Sequence, residues 1–157
     1  MKSEIKEELN PERVKSEPLS VQDLHELYDP IKDQIEERLA EFQRIWETAS
    51  DEDLFREMVF CLLTPQSKAR ICWRAVERLE RKCLIASGEP CQVQEELVGV
   101  RFNQRKAEYV CLARSMFSHR SLRTTLAGFP SHAAAREWLV ANVLGLGYKE
   151  ASHFLRN

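Results

Sequence analysis

Lys149 stands two residues after Gly145-Leu146-Gly147 in "LGLGYKEASHFLRN", residues 144–157. Glycines reach positive φ and allow close backbone approach. The stretch therefore reads as a turn between a helix that ends there and another that starts at Tyr148. The first amides of that second helix have no intrahelical acceptor. Together with the positive end of the helix dipole they form an anion site suited to a phosphate. Such contacts grip the backbone of a nucleic acid without reading its sequence. A lysine amine beside such a grip is equipped to attack a sugar carbon and form a Schiff base. The residues alone leave two plainer readings open: a helix-ending glycine between packed helices, and a lysine that is solvated or touches phosphate.

Three further positions carry side chains able to meet bases. Gln66, in "LTPQS", lies just past a helix break, where a side chain can project. Phe102 beside Arg101, after Gly99, can stack on a base while the guanidinium finds a base edge. An ordinary loop amide and an interhelical core aromatic are the alternatives. His153 lies one turn beyond Lys149 on roughly the same face, where packing or a backbone hydrogen bond is expected.

Composition narrows the classes. The chain has 157 residues, 43% hydrophobic and 31% charged, enough for one domain with a real core. No apolar run approaches the roughly 20 residues of a membrane helix, and the N-terminus lacks the apolar stretch of a secretory signal. Five cysteines without a C-x-x-C or Cys/His knuckle read as reduced thiols, so no metal is expected, and with a lysine as nucleophile no organic cofactor is expected either. The net charge of −2 is uneven. Residues 1–57 carry 8 Lys/Arg against 17 Asp/Glu, and residues 58–157 carry 15 against 8. The basic part can face phosphates, or it can be a solvated helix surface.

Only helices are needed to position these residues. Residues 1–19 read as a mobile leader. Asp29 is expected to cap a helix with Pro30 at its first position, carrying the stripe Ile31, Ile35, Leu39, Phe42 and Trp46. Ser50 and Asp53 form a capping pattern for the next helix, which Thr64-Pro65 ends. Ser67 is expected to cap a helix that buries Ile71, Ala75, Val76 and Leu79. Gly88-Glu89-Pro90 reads as a loop, followed by a short helix around 92–98. Asn103 opens another, with Ala107, Val110, Ala113 and Phe117 inward, and Ser121 and Ser131 precede two more. The expectation is an all-α fold of seven to nine short helices, as one domain over 20–157 with a hairpin at 132–157.

"LGLGYKEASHFLRN" strongly resembles the helix-hairpin-helix of the type 2 8-oxoguanine DNA glycosylase/AP lyases of archaea and some bacteria. "FCLLTPQSKARICWRAVERL" (60–79) and "GVRFNQRKAEYV" (99–110) resemble that family's two other recognisable stretches, in the same order. The resemblance implies excision of oxidised guanine from double-stranded DNA and nicking of the abasic site by β-elimination. It makes Lys149 the nucleophile, Gly145 and Gly147 the phosphate grip, and Gln66 the side chain that enters the vacated stack. Arg101 and Phe102 would lie near the opposite and damaged bases. A monomer in a prokaryotic cytoplasm, associated with the nucleoid, is expected.

The family's pattern continues past the hairpin into an aspartate, in a stretch close to Asp-Arg-His-Ile, and then further helices. That aspartate helps activate the lysine, and Glu150 does not replace it because adjacent helical residues point about 100° apart. With Asn157 as the last residue, the expectation is a C-terminally truncated member with C-terminal helices missing, apolar surface uncovered and weak excision. The alternative is a non-catalytic helix-hairpin-helix module that binds DNA in a salt-sensitive way without turnover.

Overall fold

The computed structural model describes residues 20–156; the leader expected over 1–19 lies outside them, as does Asn157. All regular structure among the described residues is helical, with no strand. Ten α-helices and one 3-10 turn are present there, more than the seven to nine expected. No described helix is long and apolar enough to cross a membrane.

The chain divides into two compact units, Met1–Glu41 and Phe42–Asn157, and the division falls inside a helix. In the first unit α1 (Val21–Tyr28) begins with a capping box between Ser20 and Asp23. Asp29 does not cap the next helix as expected. Its backbone is already helical, its N–H bonds back to the His25 carbonyl, and Asp29–Ile31 forms a 3-10 turn leading into α2 (Lys32–Thr48). Proline suits the first turn of a 3-10 helix as well as of an α-helix, so the Asp-Pro signal does not say which turn it opens. Ile31, Ile35 and Leu39 stay exposed.

The second unit holds the buried core. Its elements are α3 (Asp51–Leu63), α4 (Ala69–Arg81), α5 (Leu84–Ser87), α6 (Pro90–Glu96), α7 (Asn103–Phe117), α8 (Leu122–Ala127), α9 (His132–Asn142) and α10 (Tyr148–Arg156). The Ser50–Asp53 capping box is present, with Asp53 N–H donating to Ser50 Oγ at 3.1 Å. Ser121 and Ser131 accept from the amides of Thr124 and Ala134. Met58, Leu62, Leu79, Val110 and Leu139 are fully buried. The expected inward faces hold, except that Ile71 and Phe117 are only partly buried. Pro90 starts α6 instead of ending a loop, and α5 was not foreseen.

Three arginines cap the C-termini of helices, where carbonyls lack intrahelical donors. Arg78 Nε donates to Glu96 O at 3.0 Å at the end of α6. Arg114 Nη2 donates to Gly88 O at 2.8 Å, just past α5. Arg123 donates to the carbonyls of Trp46 and Ala49 at the end of α2 and stacks over the Trp46 ring. Its own amide donates to Asp51 Oδ1 at 2.9 Å, tying α8 to the start of α3. The five cysteines are free: Cys61 and Cys72 are buried, Cys111 is intermediate, and Cys83 and Cys91 are exposed.

Candidate nucleic-acid interface and lysine centre

The turn between α9 and α10 has the expected form. Val143 leaves the helix in extended conformation, its N–H still donating to Leu139 O at 2.8 Å. Leu146 N–H closes the turn onto Val143 O at 3.1 Å, and Val143 and Leu146 anchor it in the core. Gly145 has φ 99°, and a Cβ there would lie 2.3 Å from Tyr109 Cδ2. The position requires glycine twice over, for its backbone and for the ring packed against it.

Gly147 is different. Its φ is not left-handed, and a Cβ would meet only the mobile end of Glu150, 3.0 Å away. Its carbonyl accepts from Ala151 N–H at 2.9 Å, the first bond of α10. The amides of Tyr148, Lys149 and Glu150 therefore precede the first intrahelical bond and face outward as donors. Lys149 is exposed in this first turn. Tyr148 braces the hairpin, its hydroxyl donating to Glu137 Oε2 at 2.8 Å and its ring lying under Arg136.

Gln66 and Phe102 share an unusual backbone. Gln66 has φ 55° and Phe102 φ 57°, left-handed values costly for residues with a Cβ. Both are exposed, Phe102 at 57%, so the core-aromatic alternative does not hold. The Arg101 guanidinium lies over the Phe102 ring, 5.6 Å from its centroid. Lys68, Arg70, Arg74 and Arg105 are exposed beside these segments. The segments are joined: Arg101 N–H donates to Ser67 Oγ at 3.0 Å. Ser67 is thus not the cap expected of it. Lys68 holds the N-cap position of α4 without a side-chain bond, and the Ser67 hydroxyl serves the neighbouring loop instead.

Two features escaped the sequence. Lys106 on α7 is only 4% exposed, and its Nζ donates to Leu63 O and Pro65 O at 2.7 Å and to Ser67 Oγ at 3.2 Å. Burial holds its pKa below the ordinary lysine value. A lysine within "NQRKAEY" carries no mark of burial beyond its register with Ala107 and Val110. The second feature is an aromatic strip. Trp73, 42% exposed, stands edge-on to Phe60 with centroids 5.6 Å apart, and Phe60 lies 6.5 Å from the His153 ring. The strip links α4 through α3 to α10, one turn from Lys149. His153 Nδ1 also lies 2.8 Å from Arg156 Nη2, a side-chain bond where packing or a backbone hydrogen bond was expected.

An all-α chain with a glycine-turned helix pair and a lysine in the first turn beyond defines the class of helix-hairpin-helix DNA glycosylases. Within that class the chain belongs to the 8-oxoguanine DNA glycosylase family, whose model matches residues 35–157. It is 39% identical over 138 residues to an 8-oxoguanine DNA glycosylase/AP lyase of Fusobacterium nucleatum, covering 86% of this chain and 64% of that protein. It is 42% identical over 127 residues to a Korarchaeum cryptofilum protein of the same name, covering 81% and 58%. The crystal structure of the Methanocaldococcus jannaschii 8-oxoguanine DNA glycosylase superposes with a TM-score of 0.74 at 34% identity, covering 85% and 61%. The structure of that organism's 8-oxoguanine glycosylase/lyase with a 15mer DNA containing 8-oxoguanine gives 0.71 at 34% identity, covering 83% and 62%. The chain thus spans about three fifths of the length of these relatives.

Proposed function

We propose that this chain carries the DNA-gripping and Schiff-base-forming part of an enzyme that removes 8-oxoguanine from duplex DNA and nicks the abasic strand. The observation that carries the reading is Lys149, exposed in the first turn of α10 directly behind a turn whose Gly145 cannot be another residue without strain. The names of the relatives, and a relative's complex with DNA containing 8-oxoguanine, support it.

In this reading each residue has a role. The free amides behind Gly145 and Gly147 receive a phosphate and bring the sugar of an extruded nucleotide to the Lys149 amine. The Nζ lone pair bonds to C1′ as the glycosidic bond breaks and its electrons leave with the base, which takes up a proton. Ring opening gives an iminium. Loss of a C2′ proton then expels the 3′ phosphate and cuts the strand. Gln66 enters the emptied stack, Phe102 and Arg101 meet the bases beside it, and the Trp73–Phe60–His153 strip offers an apolar face one turn from the amine. The partner is duplex DNA, met by a single copy of the chain.

Borohydride reduction tests this directly. With a duplex carrying an abasic site, the wild-type chain is expected to yield a covalent adduct, and Lys149→Ala to lose it by about 100-fold or more while still binding the duplex. An adduct that survives in Lys149→Ala sinks the assignment.

A further inference from the structure

Gln66 and Phe102 lie on separate connections, yet both are held at positive φ. A strained backbone persists only where its surroundings over-determine it. Here the common surrounding is one residue. The Lys106 ammonium gathers Leu63 O, Pro65 O and Ser67 Oγ, the groups on either side of Gln66. The Lys106 backbone N–H makes the opening i to i−4 bond of α7, to Phe102 O at 3.0 Å, as any residue here would, so the side chain reaches the Phe102 segment through Ser67. Ser67 Oγ, which accepts from the ammonium, also accepts from Arg101 N–H at 3.0 Å and closes the link between the two segments. All three acceptors of the ammonium are neutral. Lys106 caps the C-terminal end of α3 as the arginines cap α2, α5 and α6, and it differs from them in reaching Ser67 Oγ as well, the group bonded to the Arg101 amide.

We propose that Lys106 is a positioning residue for lesion recognition, holding Gln66 and Phe102 as one preformed unit that enters the DNA stack together. The proposal rests on the reading that these two side chains face DNA. Lys106 itself is buried and touches no nucleotide. It acts by fixing two loops before DNA arrives, so that the ordering is not left to the moment of binding.

The test is a split between two duplexes, measured with the 157-residue chain by fluorescence anisotropy. One is undamaged; the other carries a tetrahydrofuran abasic analogue opposite 2-aminopurine, whose emission reports the entry of a side chain. Wild type is expected to prefer the analogue and to change the emission. Lys106→Met is expected to weaken binding to the analogue by about tenfold and to suppress the emission change. Binding to the undamaged duplex, made through the hairpin, should stay within about twofold. A generally destabilised fold would weaken both. A Lys106→Met protein that melts cooperatively and keeps its preference overturns the proposal. If that variant does not fold, Ser67→Ala decides, since it removes the link to Arg101 and leaves the two carbonyl bonds of the ammonium. Reduced preference supports the proposal and unchanged preference overturns it. Wild type without any preference would remove the DNA-facing reading of Gln66 and Phe102, and the proposal with it.

Discussion

A methyl group on Gly145 would have to enter the space of the Tyr109 ring, and it would meet a φ of 99° as well. The two penalties add, since moving the ring does not relax the backbone. Gly145→Ala should therefore destabilise the chain by about 2–4 kcal/mol in denaturant unfolding. Gly147→Ala should cost under about 1 kcal/mol, because only the flexible end of Glu150 must give way. Equal effects would show that the turn treats the two glycines alike. The sequence marks both with one signal, since the same residue type answers to backbone freedom and to lack of space. The place of Lys149 in a first helical turn was legible because glycines punctuate the helix just ahead of it. Lys106 was not: it is one basic residue among many, and only the fold brings Leu63 and Pro65 to it.

At the level of elements, local signals were readable and remote ones were not. The Ser50–Asp53, Ser121 and Ser131 caps are bonds across three residues, so the chain itself displays them. Ser67 has the right type in the right place, but Arg101 and Lys106, distant in sequence, claim its hydroxyl. The arginine caps on α2, α5 and α6 also join residues far apart. Asp51 belongs to this remote group. The Arg123 amide first, and then the Ser121 hydroxyl, hold its carboxyl below the ordinary carboxylate range. A depressed carboxylate contributes stability above its unfolded value near pH 4, and loses it as pH falls through the lower folded value. Thermal midpoints should drop on acidification below about pH 4, and Asp51→Asn should flatten that drop. At neutral pH the variant should cost about 1 kcal/mol, a modest figure because the site is partly exposed. A variant with an unchanged acid profile would remove Asp51 from the α3–α8 connection.

For the molecule as a whole, the all-helical class followed from helical periodicity and the lack of period-two segments. Periodicity also grouped Ile31, Ile35 and Leu39 on one face, but it states which side chains lie together and not what covers them. The charge imbalance needs a similar correction. Of the basic residues in 58–157, Arg78, Arg114 and Arg123 are engaged at helix ends, and Lys82 pairs with Glu96 at 2.6 Å. The exposed basic residues Lys68, Arg70, Arg101 and Arg105 near Gln66 and Phe102 are a smaller set than the count implied.

The distribution of the cysteines gives the molecule an internal clock. Burial pushes the Cys61 thiol up to about 12 and raises that of Cys72, whose Sγ–H donates to the Leu63 carbonyl at 3.2 Å. Thiolate, not thiol, is the form that alkylates. In iodoacetamide followed by mass spectrometry, Cys83 and Cys91 should be modified at once, with Cys61 and Cys72 waiting for the fold to open. Simultaneous labelling of all five would contradict the burial. Because Cys72 shares the Leu63 carbonyl with Lys106, its alkylation time measures how often this part of the core opens, without any nucleic acid present.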